Sequence, residues 1–306
     1  MGNKTDNSAL VSIVLPVYNG SLFFAESIES CINQTYTNWE LIIVNDCSKD
    51  NSLEIATEFA LQDKRIRIIN NEVNKKLPAS LNVGFESATG DYFTWTSHDN
   101  RFHPDFIKTY VDFLEKHEAI GFLTGTYQMM DENGKLLDMV ALPDPQIYMP
   151  LYNPIAYAFM YRAAVAKKAG EYDVNLFLVE DYEYWVRLWL HTKVARIEDC
   201  LYYTRVHGGT LTALRKNEIA QKLLEMRLMY FDKFNSELKS YPALRYDFFL
   251  LILNNARGVQ KLSLSLKFIA LNPIGFGLKY IFIYKPKTLL KRSDLYLKFK
   301  NRNQSK

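Results

Sequence analysis

Three short polar segments each follow an apolar run with the length of a buried strand. The runs are residues 11–17, 40–45 and 91–96, and the polar residues after them are Tyr18 and Asn19, Asp46, and Asp99. Apolar runs that alternate with helical segments are typical of a parallel sheet covered by helices on both faces. The carboxyl ends of parallel strands meet at one edge, where open α/β sheets bind ligands. The sequence therefore predicts a ligand site at this edge.

The rest of the pattern extends this architecture. Further strands are predicted over 66–70, 120–130, 135–142, 155–161 and 194–204, and helices over 21–34, 52–62, 77–88, 104–117, 163–169 and 181–191. The turn signal Asp131–Gly134 indicates a hairpin, so antiparallel pairing begins in the second half. Only helices are expected from residue 214. The predicted fold class is α/β, with a doubly wound mixed sheet and a C-terminal helical extension.

Composition narrows the class of protein. The chain has 306 residues, of which 48% are hydrophobic and 23% charged, as in a globular protein with a sizeable core. Three cysteines without C-x-x-C spacing predict neither a disulfide framework nor a zinc site, which fits a reducing compartment. Residues 1–10 lack an apolar run, so no signal peptide is predicted, and this segment is expected to be disordered. The predicted location is the cytoplasm.

Charge is divided unevenly along the chain. Residues 257–306 contain twelve Lys or Arg and one acid, whereas the remainder carries 25 basic and 33 acidic residues. Because aromatic and aliphatic residues alternate with the lysines, the tail is suited to an anionic membrane surface, at the inner face of the plasma membrane. The alternative is a solvated helical face. A nucleic-acid partner is not expected, because the body is acidic and no nucleic-acid-binding motif is present.

Four motifs resemble the nucleotide-sugar-dependent glycosyltransferases of family 2, which have the GT-A fold. The motifs are P-V-Y-N at 16–19, V-N-D-C-S-K-D-N-S at 44–52, N-V-G-F-E-S-A-T-G-D-Y at 82–92, and Glu180-Asp181. The resemblance covers about residues 10–212. It implies a glycosyltransferase domain over 11–212, with a Rossmann-like nucleotide-sugar half over 11–103 and an acceptor half over 104–212. Residues 213–306 would form a helical, basic C-terminal region.

The resemblance also implies roles for individual residues. The nucleotide-binding candidates are Pro16, Tyr18, Asn19, Asp46, Asn82, Ser97 and His98. The metal-binding candidates are Asp99 and His207, and the catalytic candidates are Asp181 and Glu180. The family usually ends its fourth strand with Asp-x-Asp, whereas this chain has Ser97-His98-Asp99. Serine can hydrogen-bond to a ribose hydroxyl but supplies no charge, which would weaken metal binding.

The expected chemistry explains these residue types. A nucleoside diphosphate gathers negative charge as it leaves the sugar, and a hard cation such as Mn²⁺ or Mg²⁺ stabilises that charge. Two adjacent carboxylates repel each other, which raises the pKa of one of them and makes it a better proton acceptor. Asp181 is the residue expected to act as the base. Each residue also has a structural alternative. Glu180 and Asp181 could stabilise the positive end of a helix dipole, and Asp46 could end a strand in a turn. His207 could be structural or could donate a hydrogen bond to the diphosphate.

The predicted function is that of an inverting glycosyltransferase. Its donor would be a nucleotide-diphospho sugar, with uridine as the expected nucleotide. Its acceptor would be a saccharide or a lipid-linked saccharide in surface glycan biosynthesis. The alternative is a degenerate, non-catalytic sugar-nucleotide binding module, since one acid of the fourth-strand motif is replaced by Ser97.

Overall fold

The computed structural model describes residues 8–208, 214–256 and 258–271, and within those ranges it has nine strands and eleven α-helices. The strands are β1 (Val11–Val17), β2 (Trp39–Asn45), β3 (Ile66–Asn70), β4 (Tyr92–Trp95), β5 (Arg101–Phe102), β6 (Ile120–Met130), β7 (Leu136–Val140), β8 (Phe159–Arg162) and β9 (Lys193–Arg205). The helices are α1 (Ser21–Ile32), α2 (Ser52–Gln62), α3 (Lys76–Glu86), α4 (Phe106–Lys116), α5 (Pro145–Tyr148), α6 (Ala163–Ala169), α7 (Glu180–His191), α8 (Lys216–Met229), α9 (Phe231–Glu237), α10 (Pro242–Asn255) and α11 (Gly258–Leu271).

The described strands form one sheet whose order reverses beside β1. The order is β3-β2-β1-β4-β8-β6-β9-β5, and β7 pairs with β6 outside this path. β1 pairs in parallel with β2 on one side and with β4 on the other. The chain therefore runs outward to β3 and returns to the opposite side of β1. This reversal opens a crevice beyond the carboxyl ends of β1 and β4, where α/β sheets bind ligands.

Burial explains why the central strands are apolar throughout. All seven residues of β1 are buried, and six of the seven residues of β2 are buried. Helix α3 packs closely against β1, since a Cβ on Gly84 would lie 2.4 Å from the Cγ1 of Val14. Glycine at this position allows the close approach. Both faces of these strands are therefore covered, as the continuous apolar runs predict.

The second half of the sheet is mixed, as predicted. β6 pairs antiparallel with β7 and β8 and parallel with β9, while β8 joins the two halves by pairing antiparallel with β4. The hairpin from β6 to β7 turns at Gly134, whose φ of 79° is favourable only for glycine. The α/β fold class with a doubly wound mixed sheet is thus confirmed.

One predicted strand begins later than expected. The strand over 155–161 is observed as β8, which starts at Phe159. The side chain of Asn153 accepts hydrogen bonds from the backbone N–H groups of Ile155 (3.1 Å) and Ala156 (3.2 Å). Ala156 has a φ of 53°. This side-chain turn holds residues 153–156 in a loop. The short elements β5 and α5 were not predicted.

The predicted disorder of residues 1–10 is wrong for Ser8–Leu10. The N–H of Leu10 donates to the Oδ2 of Asp91 (2.9 Å), and the hydroxyl of Tyr36 donates to the carbonyl of Ala9 (2.5 Å). Backbone groups satisfied in this way hold a chain end in place. Residues 1–7 lie outside the described residues.

The chain divides into two compact units, one up to Ile219 and one from Ala220. In the second unit Phe249 and Phe268 stack at 4.5 Å, and Phe231 stacks on Phe268 at 5.4 Å. The predicted boundary at residues 212 and 213, like the basic tail from residue 272, lies outside the described residues. None of the helices in the described ranges is both long and apolar enough to cross a membrane.

Candidate active site

The loop after β1 is fastened to the loop after β2. The N–H of Asn19 donates to the Oγ of Ser48 (3.1 Å), and its Oδ1 accepts from the N–H of Lys49 (2.8 Å). Asn19 has a φ of 49°, a conformation that asparagine tolerates better than most residues. Tyr18 is 48% exposed beside it. Asn19 therefore fixes the loop, in which Tyr18 is exposed to solvent.

Pro16 shapes the end of β1. The last pair between β1 and β4 is Val14 with Trp95, so at Pro16 only β2 lies alongside, through Val44. A proline lacks an N–H, which it can omit where one neighbouring strand is missing. Pro16 is buried and offers no polar side-chain atom to a nucleotide. Its predicted nucleotide contact, like that of Asn19 and Tyr18, stays a prediction.

Asp46 is buried and almost fully hydrogen-bonded. Its Oδ1 accepts from the Nδ2 of Asn71 (2.8 Å) and the N–H of Lys75 (2.8 Å), and its Oδ2 accepts from the N–H of Lys76 (2.9 Å). It is 3% exposed. Three internal donors use most of the capacity of one carboxylate. Asp46 thus fastens the loop that leads into α3, and its predicted contact with the nucleotide base stays a prediction.

Asn82 joins two distant segments. Its Nδ2 donates to the carbonyl of Tyr172 (2.9 Å), and its Oδ1 accepts from the N–H of Tyr172 (2.7 Å). The hydroxyl of Tyr172 accepts from the Nε1 of Trp95 at the end of β4 (3.0 Å). The amide of Asn82 therefore holds the segment that leads to Glu180. Its predicted nucleotide contact is untested.

Ser97 and His98 form the turn that follows β4. The carbonyl of Ser97 accepts from the hydroxyl of Ser27 (2.9 Å), which ties the turn to α1. The ring of His98 lies against Gly20, where a Cβ would come within 2.4 Å of its Cδ2. Burial lowers the pKa of His98, although the charge of Asp99 opposes the shift. His98 is therefore neutral at neutral pH and packs under the loop after β1.

Asp99 and His207 meet although 108 residues separate them. The Nε2 of His207 lies 3.0 Å from the Oδ2 of Asp99. Arg205, whose side chain is fully buried, supports the pair: its Nε donates to the carbonyl of Asp99 (3.1 Å), and its Nη2 pairs with the Oε2 of Glu26 (2.8 Å). The two candidate metal ligands are thus brought to one place.

The donor set suits a hard cation only in part. Asp99 supplies an oxygen ligand and His207 a nitrogen ligand, within contact distance of each other. The described residues contain no group of three or more His, Cys, Asp or Glu side chains that could hold a metal ion. Since Mg²⁺ in particular is commonly bound through one or two carboxylates and substrate phosphates, two protein ligands are compatible with a site completed by a diphosphate.

The acid pair opens helix α7. Glu180 is 5% exposed, and its Oε2 has no hydrogen-bond partner among the described residues. Burial raises the pKa of Glu180 to about 8, and the charge of Asp181 adds to the shift. Burial also raises the pKa of Asp181, to about 6. Hydrogen bonds from the backbone N–H of Tyr182 and the side chain of Asn153 oppose this shift. Both carboxyl groups of the pair therefore hold a proton to a higher pH than exposed carboxyl groups do.

Asn153 is a site residue that sequence reasoning missed. Its Nδ2 donates to the Oδ2 of Asp181 (3.2 Å), while its Oδ1 organises the turn described above. The backbone just before the pair is strained, since Leu178 has a φ of 85°. The only signal in the sequence was Asn153-Pro154, a turn dipeptide with no link to residue 181.

Comparisons with known proteins agree with this arrangement. The family model of Glycosyl transferase family 2 matches residues 12–169. An uncharacterized glycosyltransferase of Rickettsia typhi is 30% identical over 225 residues, which cover 70% of this chain and 69% of that protein. Another, of Rickettsia conorii, is 32% identical over 209 residues, or 65% of this chain, which spans about a third (34%) of that relative's length.

Two solved structures share the fold. TarS of S. aureus, in complex with UDP-GlcNAc, has a TM-score of 0.59 at 18% identity and covers 89% of this chain and 76% of its own. The mannosyltransferase PcManGT of Pyrobaculum calidifontis, in complex with GDP-Man and Mn²⁺, has a TM-score of 0.61 at 13% identity, with coverages of 92% and 89%. The architecture is the GT-A fold, and the chain belongs to Glycosyl transferase family 2.

Proposed function

We propose that this protein transfers a sugar from a nucleoside diphosphate donor to a saccharide or lipid-linked saccharide acceptor, with inversion at the anomeric carbon. The observation that carries the proposal is the acid pair. Two adjacent carboxyl groups lie at the start of α7, and burial raises the pKa of both. The charge of Asp181 raises the pKa of Glu180 further, while hydrogen bonds from Tyr182 and Asn153 lower that of Asp181, so the two values separate to about 8 and about 6. Such separation is typical of a base and its partner in an active site.

Asp181 is the base in this proposal. Its carboxylate accepts the proton of the acceptor hydroxyl, whose oxygen bonds to the anomeric carbon while the bond from that carbon to the diphosphate oxygen breaks. The nucleoside diphosphate leaves with the electron pair. Attack opposite the leaving group inverts the configuration. Asn153 holds the orientation of Asp181, and protonated Glu180 spares Asp181 the repulsion of a second charge.

The donor would lie beyond the carboxyl ends of β1 and β4. Tyr18 would contact the nucleotide there, while Asp46 and Asn82 would shape the walls through the hydrogen bonds that they already make. Asp99 and His207 would hold Mn²⁺ or Mg²⁺, which would supply positive charge to the diphosphate. We propose uridine as the nucleotide, and TarS, whose structure was solved in complex with UDP-GlcNAc, shares the fold.

A thermal-shift screen tests the donor and the cation together. UDP, GDP and TDP are added to the full-length protein with and without Mn²⁺. The proposal expects UDP to raise the melting temperature most, and to raise it more with Mn²⁺ than without. A ligand that binds the folded state at 100 times its Kd stabilises it by about 2.7 kcal/mol, so the shift should be measurable. Loss of the Mn²⁺ effect in Asp99→Ala would support the assigned ligand. No shift with any of the nucleotides would contradict the proposal.

The non-catalytic alternative makes a different forecast. A degenerate module would bind UDP-sugars without consuming them. The discriminating measurement is release of UDP from UDP-sugars in the presence of an acceptor panel. Steady release that Asp181→Asn abolishes favours the enzyme, whereas binding without release in the wild type favours the module.

The surface-glycan role and membrane attachment are also proposals. The tail after residue 256 carries the excess of basic residues and interleaved aromatic residues described above. Such a tail would hold a cytoplasmic enzyme against anionic lipids at the inner face of the plasma membrane, beside a lipid-linked acceptor. Vesicle co-sedimentation tests this. Binding to anionic vesicles that weakens with salt supports it, and equal binding to neutral and anionic vesicles contradicts it.

A further inference from the structure

The loop between β7 and β8 carries two exposed tyrosines on either side of Asn153. Tyr152 is 39% exposed and Tyr157 is 37% exposed. They flank Asn153, whose Nδ2 donates to the Oδ2 of Asp181 (3.2 Å). Both rings therefore lie on the segment that orients the base assigned above, so the inference that follows rests on the proposed function.

Neighbouring rings support both tyrosines. Tyr152 stacks on Tyr148, with ring centroids 5.6 Å apart and planes at 22°. Tyr157 lies parallel to Tyr202, at 6.3 Å and 7°, and meets Tyr127 edge-on at 5.0 Å. The buried Tyr202 is itself fixed by a hydrogen bond to Thr96 after β4 (2.8 Å). Aromatic side chains held in this way give contact area at a low cost in conformational entropy.

The backbone of the same loop is also held. The Oδ1 of Asn153 accepts from the backbone N–H groups of Ile155 and Ala156, and Ala156 has a φ of 53°. At the start of the loop, the carbonyl of Met149 accepts from the hydroxyl of Tyr182 on α7 (2.6 Å). Strained residues fixed by several contacts cluster at binding sites. The two rings thus belong to a built surface attached to α7.

Other aromatic residues of this region are buried. Trp185 is inaccessible to solvent and Trp189 is 6% exposed, so the tryptophans of α7 pack in the interior. Tyr172 and Tyr184, which stack on each other at 3.9 Å, are each 3% exposed. Of these aromatic residues, Tyr152 and Tyr157 are therefore the ones that a ligand can reach from solvent.

We propose that Tyr152 and Tyr157 form the platform on which the acceptor saccharide stacks, with the attacking hydroxyl beside Asp181. A pyranose ring has an apolar face of C–H groups and a rim of hydroxyls. The loop offers the matching chemistry, because its two exposed aromatic rings come just before and after Asn153, whose amide contacts the carboxylate of Asp181. The two tyrosines would then determine acceptor specificity and leave donor binding unchanged.

Saturation-transfer NMR on the full-length protein with UDP and Mn²⁺ tests the platform. The probes are the methyl glycosides of glucose, galactose, mannose and N-acetylglucosamine. In the wild type, saturation transfer to at least one glycoside is expected. It should be lost in Tyr152→Ala/Tyr157→Ala and retained in Tyr152→Phe/Tyr157→Phe, because stacking needs the ring and not the hydroxyl. Tyr241→Ala, at a 43% exposed tyrosine in the second unit, is the control and should behave as wild type.

Kinetics give the second readout. For any glycoside that accepts sugar, the acceptor KM should rise roughly tenfold or more in the double alanine variant, while the donor KM stays within twofold. Equal acceptor KM values in the wild type and the double alanine variant would overturn the platform while leaving the transferase proposal intact. Failure of the wild type to bind UDP would instead overturn the proposed function. If the wild type binds UDP but none of the four glycosides shows saturation transfer, the platform would be overturned.

Discussion

Two buried carboxyl groups of the first unit have contrasting environments. Asp46 is 3% exposed and Glu180 is 5% exposed, so water is excluded from both. Asp46 accepts hydrogen bonds from three internal donors, whereas the Oε2 of Glu180 has no partner among the described residues. Internal donors fasten the carboxylate of Asp46 to the loop that leads into α3. Burial, reinforced by the charge of Asp181, raises the pKa of Glu180 although neighbouring backbone N–H groups oppose the shift. Under the proposed function, Asp46 has a structural role and Glu180 belongs to the catalytic pair.

The largest expected effect is on turnover in Asp181→Asn. The amide keeps one acceptor oxygen, for either Asn153 or Tyr182, but cannot take a proton. Turnover should fall about 10³-fold, within the range for removal of a general base, while donor binding measured by thermal shift is retained. Turnover within tenfold of wild type would show that Asp181 is not the base.

The next effect is on stability in Asp46→Ala. The substitution removes the acceptor of the Lys75 N–H, and it removes one of two acceptors from the Lys76 N–H and from the amide of Asn71, which keep Asn74 and Ser80. The free energy of unfolding, from urea denaturation of the first transition, should fall by about 2–4 kcal/mol. Asp46→Asn retains one oxygen acceptor, so its free energy of unfolding should lie between those of the wild type and Asp46→Ala. An unchanged midpoint in Asp46→Ala would remove the contrast with Glu180.

Asn82→Ala distinguishes a positioning role from nucleotide contact. The variant loses both hydrogen bonds to the backbone of Tyr172, so the segment before Glu180 loses its anchor. Stability should fall by about 1–2 kcal/mol, and turnover should fall roughly tenfold with the UDP affinity unchanged. A loss of UDP affinity with normal turnover at saturating donor would instead support the predicted nucleotide contact.

The smallest effect is the pH dependence of stability at Glu180. Its pKa is higher in the folded state, at about 8, than the ordinary value of 4.5, so the folded state binds more protons between these values. Stability from this group is complete below pH 4.5 and is lost as the pH rises through 8. Glu180→Gln should therefore be more stable than wild type at pH 9, by about 1–2 kcal/mol, and not at pH 5. A difference that does not vary with pH would contradict this.

The sequence predicted the parts of the fold that depend on local pattern. The continuous apolar runs of β1 and β2 reflect strands covered on both faces, and Gly134 marks the hairpin. It could not predict β5, because two residues carry no periodicity. The proline-rich sequence also did not indicate that β8 starts late. The turn before β8 depends on hydrogen bonds from the backbone to the side chain of Asn153, which have no periodic sequence pattern.

The candidate site was predictable only as a set of residues. The meeting of Asp99 with His207 and the anchoring of Tyr172 by Asn82 join segments 108 and 90 residues apart, and no local pattern encodes such contacts. The sequence offered repulsion as the reason for a raised pKa in the acid pair. The structure adds burial as the larger cause for Glu180, and burial depends on the packing of the whole half-sheet.

The most direct test of the raised pKa values in the acid pair is a carboxyl titration by carbon-detected NMR of the full-length protein with labelled Asp and Glu. Resonances are assigned by their loss in Glu180→Gln and Asp181→Asn. The account predicts that Glu180 titrates near pH 8 and Asp181 near pH 6. Titration of both carboxyl groups near the ordinary values of 4.5 and 3.8 would contradict the account.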